Sequence, residues 1–531
     1  MINEDFTLPE YEVDFNLLSK IAFENWPKDE FNQLEGIENC KTFYNKAYKQ
    51  LLDELIIVID QYDPASWIRV SYIQLELWTV VLHKYEAEII KGQNNPLSLL
   101  APIGRYGWRY ILEVSLEKNI SPNVNNADRP QKRDMIKVFT LLVGLAYSSE
   151  YSNYFHYFGK RLTSVQVKLS PFIFTKYPVF NDKDFEFFQS VKNYMLVKPD
   201  WEKYDDFAIN GSDGIMSMID NLLLNNFGFI LDDIRTLIKV FVNNISTKLG
   251  ASILITTYDE AIRLFAFHCS FDIVKTKLIL DFILLDRNSS SHQIRDFLSK
   301  SQTERMLNYG GAVIYLSKNL RTIYTEEAAN FGYIKSSNKH VIVTATLIAE
   351  WFDVFLSRLV YGQRTDLKDK SAKLNSEISA IENYFHTNIF ETSLKRLIAK
   401  KDYFCTSVNK INGDLIPCGE IDAVAYNSSK KKLLIVEAKY HAPAKDARSM
   451  GKVISDHYKQ KRYHQKFISK IEWVKENLPT LSRYFGDKFG VTISADCLIE
   501  CYFVTGSSNA VRFLVDEYSV LTFHEFDNIL E

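Results

Sequence analysis

The sequence predicts a protein in two parts, a large and mostly α-helical region over residues 1–370 and a smaller α/β domain over residues 371–531. Its 531 residues are too many for one ordinary hydrophobic core. Up to about residue 360, apolar residues recur mainly at the three- and four-residue spacings of helices. After the polar segment 361–375 the pattern alternates between helices and strands, which is the order of an α/β sandwich.

The first region is expected to consist of amphipathic helices whose many aromatic residues fill the core, since Phe, Tyr and Trp make up 14% of the chain. The clearest helical segments are 45–59, 72–90, 135–147, 220–242 and 258–285. Within this region Arg105–Tyr110 mixes bases with aromatics, and we interpret it as core packing at a helix start in preference to a nucleotide-stacking surface. The region has no phosphate-binding loop and no His-Glu-x-x-His motif, so its sequence assigns it no function.

The elements predicted for the second domain follow one another with short connections. The predicted helices are 376–400, interrupted near His386, then 452–477 and an amphipathic segment at 523–530. The predicted strands are 403–409, 420–426, 432–439, 497–505 and 511–515. Between the second and third strands lies the polar, turn-rich segment Asn427–Lys431, which predicts a β-hairpin.

The predicted hairpin places two carboxylates and a lysine together. Successive side chains of a strand alternate between faces, so Glu437 and Lys439 project on one side while Ala438 points to the other. Ala438 shares its side with the apolar residues at 434 and 436. Pairing across the hairpin then brings Asp422 beside Glu437, because the two residues flank the turn at comparable distances.

Residues 376–531 resemble the PD-(D/E)xK nuclease superfamily, whose fold is the restriction-endonuclease-like fold. The resemblance is carried by Gly419-Glu420-Ile421-Asp422 and by the apolar strand that ends in Glu437-Ala438-Lys439. It implies a mixed central sheet flanked by helices, and an Mg²⁺-dependent (or Mn²⁺-dependent) nuclease that hydrolyses phosphodiester bonds.

The resemblance and the chemistry of the ions together suggest a role for each residue. Magnesium prefers oxygen ligands, so Asp422 and Glu437 are the expected metal ligands. The family pattern adds the backbone carbonyl of Ala438. Lys439 is expected to orient or deprotonate the attacking water, or to screen the phosphate. Burial and the neighbouring carboxylates act on the pKa of Lys439 in opposite directions, and the sequence does not decide between them.

A glutamate on an upstream helix usually accompanies this pattern in the family. Glu391 is the predicted residue, because it follows Phe390 at the start of a helix and family members commonly have a Phe-Glu pair there. Glu382 and Glu377 stay open as alternatives, since they lie beside apolar residues on a similar helix face.

The segment 445–475 is basic, with nine Lys or Arg residues against three acidic ones. A stripe along one predicted helix is expected to bind the nucleic-acid backbone, and it consists of Lys459, Arg462, Lys466 and Lys470, with Gln460 beside it. Three histidines also lie near the predicted site in the sequence. We interpret His441, His457 and His464 as phosphate-binding or scaffold residues, because Mg²⁺ rarely takes imidazole ligands.

Composition limits the class of protein and its location. The net charge is −3, so any nucleic-acid surface must be local. Six scattered cysteines without a CxxC pair argue against a zinc site or a disulfide framework. The acidic N-terminus lacks the features of a signal peptide, and no apolar stretch approaches the roughly 20 residues that span a bilayer. We therefore expect a soluble cytoplasmic protein without a membrane partner.

The expected activity is metal-dependent cleavage of nucleic acid, DNA in preference to RNA. A homodimer is expected if the enzyme makes double-strand breaks, because these need two active sites. Helical regions fused to this nuclease fold resemble bacterial anti-phage or restriction effectors, in which the helical part senses, targets or binds a regulatory protein. The alternative is a helical interaction protein whose nuclease-like domain binds nucleic acid or protein without cutting.

Overall fold

The computed structural model describes most of the chain, and its last part almost continuously. The described residues are 12–23, 34–62, 64–90, 96–117, 130–162, 165–167, 179–180, 182–196, 213–245, 253–285, 313–316, 340–344, 348–349, 352, 355–356, 359–360, 365–440 and 447–530. Over these described residues the protein is largely helical and has a mixed five-stranded sheet near its C-terminus, as the sequence predicted.

The chain divides into two compact units. The first comprises Met1–Asn181, Ile219–Leu359 and Arg364–Asn375. The second comprises Asp182–Met218, Val360–Gln363 and Ser376–Glu531. A segment that precedes the predicted boundary at residue 370 therefore belongs to the same unit as the C-terminal sheet.

Eleven α-helices with defined ends are described before residue 371. They are α1 (Phe15–Phe23), α2 (Ile37–Asp60), α3 (Pro64–Ile90), α4 (Pro96–Glu117), α5 (Lys132–Phe158), α6 (Asp182–Leu196), α7 (Asp213–Phe227), α8 (Leu231–Ile245), α9 (Tyr258–Cys269), α10 (Ile273–Ile283) and α11 (Thr365–Lys368). The strands described in this range are β1 (Leu34–Glu35), β2 (Val165–Val167), β3 (Val179–Phe180), β4 (Ile253–Thr257), β5 (Leu284–Leu285), β6 (Val313–Leu316) and β7 (His340–Thr344).

Two of the predicted helices are each divided in the structure. Segment 220–242 is split between α7 and α8 at Gly228, whose φ of 81° a helix cannot contain. Segment 258–285 is split between α9 and α10 at Ser270, which is also left-handed. Among the described helices none is long and apolar enough to cross a membrane alone, although the bent pair Gly214–Phe227 and Leu231–Asn243 meets both criteria together.

The strands of the first unit were not predicted. β1, β2 and β3 form one antiparallel sheet, and β4, β7, β6 and β5 form another in that order. The aromatic core was predicted correctly: the largest fully buried side chains include Trp67, Trp78 and Trp108. Trp108 lies on α4 within the Arg105–Tyr110 segment, and the two arginines of that segment are also buried, as expected for core packing.

The second unit contains α6, the beginning of α7 and the elements that follow residue 371. After residue 371 the α-helices are α12 (Ala372–Asn383), which begins just before the unit boundary, α13 (Thr392–Lys400), α14 (Ala447–Ser455), α15 (Tyr463–Glu476), α16 (Leu478–Phe489) and α17 (Phe523–Ile529). Two π-helical segments, π1 (Tyr384–Glu391) and π2 (Asp456–Gln460), follow α12 and α14. Its strands are β8 (Phe404–Val408), β9 (Lys410–Ile411), β10 (Asp414–Leu415), β11 (Ile421–Asn427), β12 (Lys432–Lys439), β13 (Leu498–Thr505) and β14 (Ser519–Thr522).

The central sheet has the order β14-β13-β12-β11-β8. β12 pairs antiparallel with β11 and parallel with β13, which makes the sheet mixed. Leu433 and Ile435 of β12 belong to a core with Phe467 and Ile471 of α15. The opposite face of β12 is buried as well, so this strand is covered on both sides, and it is continuously apolar from Leu433 to Val436.

Two predictions in this unit were wrong. The predicted helix 452–477 is three elements, because π2 ends at Gln460 and Arg462 then takes a left-handed conformation (φ 53°) before α15 begins. The predicted strand 511–515 is a 3₁₀ helix, Ala510–Phe513, in which the Asn509 side chain accepts a hydrogen bond from Val511 N. The sheet instead takes its last strand from β14, which lies parallel to β13.

Candidate active site on the β11–β12 hairpin

The hairpin predicted from the sequence is present, and its turn fixes the register. Asn427 Oδ1 accepts a hydrogen bond from Lys430 N at 2.8 Å, and Lys431 takes the left-handed conformation that closes the turn. Pairing runs from Asn427 opposite Lys432 to Ala423 opposite Val436. One more step in this register places Asp422 opposite Glu437.

Asp422 lies in an irregularity of β11. On the side of β8, Ile421 pairs with Val408 but Val424 pairs with Thr406, so one residue is extra between them. Such a bulge redirects a side chain, and bulges are frequent beside active sites. Here the Asp422 carboxylate turns towards β12 and accepts a hydrogen bond from Ala438 N at 2.8 Å.

The Lys439 ammonium lies among three oxygen-bearing groups. Its Nζ is 3.0 Å from Asp422 Oδ2, 2.9 Å from Glu437 Oε1 and 2.9 Å from the carbonyl oxygen of Ala438. Burial by itself lowers the pKa of Lys439, but the charges of Glu437 and Asp422 outweigh burial and raise the pKa above its ordinary value of 10.5. The lysine is therefore held as a cation, which answers the question that the sequence left open.

A second lysine completes the cluster. Lys470 Nζ on α15 donates to Glu437 Oε2 at 2.5 Å, and both side chains are buried, with 8% and 6% exposed. Lys470 was predicted to belong to the exposed basic stripe, and the structure differs because the side chain faces inward. The helical period indicates that Lys470 faces inward, because Phe467, Ile471 and Val474 share its helix face and are buried in the core. Glu437 thus has one lysine on each carboxylate oxygen.

The donor set fits a hard cation. Two carboxylates and one main-chain carbonyl converge within 3.0 Å of a single positively charged atom, Lys439 Nζ. Oxygen donors are those that Mg²⁺ and Mn²⁺ prefer, and Mg²⁺ commonly takes few protein ligands and keeps several waters. The described part of the chain contains no group of three or more His, Cys, Asp or Glu side chains that could hold a metal ion. A metal bound here would therefore take its other ligands from the Ala438 carbonyl and from water.

The predicted upstream glutamate lies on π1. Glu391 Oε1 is 3.0 Å from His386 Nδ1, and within the described residues it makes no ion pair with Lys439. The π1 segment nevertheless contacts the end of β12, because the Tyr440 ring packs on Phe385 and Phe390 with centroids 4.5 and 5.3 Å apart. Glu391 remains a predicted site residue. The alternatives Glu382 and Glu377 lie on α12, nine and fourteen residues earlier, and both are partly exposed.

The Tyr463 ring lies between the exposed basic segment and the site, because a lysine of each contacts it. Lys439 Nζ lies 6.0 Å from the Tyr463 ring centroid, and Lys461 Nζ lies 5.8 Å from the same centroid. The predicted nucleic-acid residues that are exposed here are Lys459, Gln460, Arg462 and Lys466. They do not form one helical stripe, because the helix is interrupted between π2 and α15. No role was predicted for Tyr463 or for Lys461 individually.

Two of the three histidines, one on π2 and one on α15, contact the hydroxyl of Tyr518. His457 Nε2 is 2.7 Å and His464 Nδ1 is 3.1 Å from Tyr518 Oη. His457 is 1% exposed, and burial lowers its pKa to about 3, with the neighbouring His464 adding to this effect. These two histidines therefore lie in the scaffold, whereas His441 lies outside the described residues.

Comparisons of the chain with family models, with curated proteins and with solved structures found no match to any of the three. The geometry of the β11–β12 hairpin and α15 is therefore the basis for the functional argument.

Proposed function

We propose that the C-terminal unit is a metal-dependent nuclease of the PD-(D/E)xK type that hydrolyses phosphodiester bonds, with DNA as the expected substrate. One observation carries the proposal: the carboxylates of Asp422 and Glu437 and the carbonyl of Ala438 converge on one cationic atom. Oxygen donors grouped in this way are suited to Mg²⁺ or Mn²⁺. The mixed sheet flanked by helices, with the hairpin inside it, supports the same assignment.

The proposed roles follow from the positions of the side chains. Asp422, Glu437 and the Ala438 carbonyl hold the metal, which when bound lowers the pKa of a water and stabilises charge on phosphate oxygens. Lys439 is close enough to the carboxylates to orient the attacking water or to contact the phosphate. Lys470 fixes the second oxygen of Glu437 from a buried position.

The exposed basic residues between Lys459 and Lys466 are the proposed contact for the nucleic-acid backbone. They are on the surface, and they lead to the site through Tyr463, whose ring faces both Lys461 and Lys439. Phosphate contacts of this kind position a nucleic acid without reading its sequence, and they weaken as salt rises.

The test is cleavage of plasmid, linear duplex, single-stranded DNA and RNA by the full chain with Mg²⁺ or Mn²⁺. We expect Asp422→Asn and Lys439→Ala each to lower the cleavage rate by about a hundredfold or more. Lys432→Ala is the matched control, because Lys432 lies on the same strand and pairs with Glu500 away from the site. Equal cleavage by wild type and Asp422→Asn would contradict this assignment of the active site.

A second candidate is a module that binds nucleic acid or protein without cutting. It is favoured by the charge balance of the site, in which two lysines neutralise two carboxylates and form a self-contained buried cluster. Calorimetric titration with Mn²⁺ separates the two candidates. Binding that disappears in Asp422→Asn supports the nuclease, and no binding by the wild type supports the module.

For the biological role we propose an anti-phage or restriction-type effector in which the helical unit senses a trigger, targets the nuclease or binds a regulatory protein. This proposal rests on architecture, namely a largely helical unit joined to a unit that carries the candidate site. The test is phage plating on cells that express the wild type or Asp422→Asn. Equal plating across a broad phage panel would contradict the proposal.

A further inference from the structure

Lys439 and the proposed metal use the same oxygen atoms. The ammonium contacts Asp422 Oδ2, Glu437 Oε1 and the Ala438 carbonyl oxygen, which are one oxygen of each group in the proposed protein donor set. A divalent ion bonded to these same three oxygens, at about 2.1 Å from each, would lie among them where the ammonium now lies, and two cations cannot share that position. Binding of the metal therefore excludes these contacts of Lys439.

Lys470 does not share this conflict. It contacts the other oxygen of Glu437, Oε2, from the buried face of α15. It can stay in place while the first oxygen changes its partner, and it keeps the carboxylate oriented when that happens. The two lysines on Glu437 thus differ in their relation to a bound cation.

A displaced Lys439 side chain has an alternative position close by. It is the last residue of β12 and its side chain is 17% exposed, about twice the exposure of Lys470. The Tyr463 ring, whose centroid is 6.0 Å from Nζ, offers a cation–π position to the displaced ammonium.

We propose that Lys439 is a built-in competitor for the metal: its ammonium holds the cation site of the resting protein and is displaced when a divalent ion binds. The inference rests on the proposed nuclease function and adds a regulatory feature to it, since metal binding must overcome the internal ion pairs. The protein responds to metal concentration with a lower affinity than its oxygen ligands alone would provide.

The experiment is calorimetric titration of the full chain with Mn²⁺ alone, without nucleic acid. We expect Lys439→Met to bind Mn²⁺ about tenfold more tightly than wild type, because the competing cation is gone. Lys432→Met, which removes a lysine from the same strand, leaves the affinity unchanged, and Asp422→Asn abolishes binding. With a chelator present, Lys439→Met should melt at a lower temperature than wild type, because Asp422 and Glu437 each lose one lysine partner. Added Mn²⁺ should raise the melting temperature of Lys439→Met more than that of wild type.

The outcomes distinguish this inference from the proposed function. Equal or weaker Mn²⁺ binding by Lys439→Met, with binding by the wild type, overturns the inference and leaves the nuclease proposal standing. If neither wild type nor Lys439→Met binds Mn²⁺, the nuclease proposal fails and the inference with it. If Lys439→Met does not fold, Lys439→Gln repeats the test with a neutral polar side chain and the same expected tightening.

Discussion

The ion pair between Lys470 and Glu437 gives the most direct test of the site's geometry. Nζ of Lys470 lies 2.5 Å from Glu437 Oε2, and both side chains are nearly fully buried. Removing one partner of a buried pair costs about 3–5 kcal/mol, because the other charge is left without compensation. Lys439 still faces Oε1 of Glu437 at 2.9 Å in Lys470→Met. We therefore expect the lower end of that range, about 3 kcal/mol.

The assay is native-state hydrogen exchange of the peptide that covers β12, because it reports the opening free energy of this strand in a chain of two units. Lys432→Met is the matched control: it removes a lysine from the same strand whose pair with Glu500 is about one-quarter exposed on each side. An exposed pair of this kind contributes about 0–1 kcal/mol. Lys470→Met should therefore accelerate exchange in β12 far more than Lys432→Met.

A double-mutant cycle isolates the pair from other effects of losing the long side chain. The double variant Lys470→Met/Glu437→Gln should lose less free energy of unfolding than the sum of the two single variants, by at least about 1 kcal/mol. The reason is that Glu437→Gln removes the charge that Lys470→Met leaves unpaired on that oxygen. Additive costs, or a cost for Lys470→Met no larger than that of Lys432→Met, would refute the buried ion pair.

Three further expectations follow from the second unit. A Cβ at Gly506 would overlap the Tyr440 ring, so Gly506→Ala should destabilise the unit by about 1–3 kcal/mol, and an unchanged melting temperature would contradict the close packing. Burial lowers the pKa of His457 from 6.5 to about 3, so between these pH values the unfolded chain binds a proton at His457 and the folded protein does not. The free energy of unfolding should therefore fall as pH drops from about 6.5 towards about 3. His457→Gln should flatten this decline in melting temperature, and an equal decline would argue against burial as its cause. Lys461→Glu and Arg462→Glu should weaken DNA binding and reduce its slope against log salt by about one per lost phosphate contact, measured by fluorescence anisotropy, whereas an unchanged slope would place the DNA elsewhere.

Local sequence was sufficient for the hairpin. The apolar run within 432–439 and the polar turn at Asn427–Lys431 predicted both strands to within one residue. The register, observed as far as Ala423 opposite Val436, then places Asp422 opposite Glu437. These features depend on residues close together in the chain, where side-chain alternation and turn chemistry decide the structure. The same holds for the interruption near His386, which coincides with π1.

The sequence by itself determined the largely helical character, the C-terminal α/β order and the approach of Asp422, Glu437 and Lys439. Tertiary structure alone decided that Lys470 joins the carboxylates and that Ser519–Thr522 is the last strand of the sheet. Each of these is a contact between elements that the chain pattern leaves independent. A helix face becomes buried only where a sheet covers it, and a lysine on that face then needs a carboxylate partner because burial of an unpaired charge is too costly.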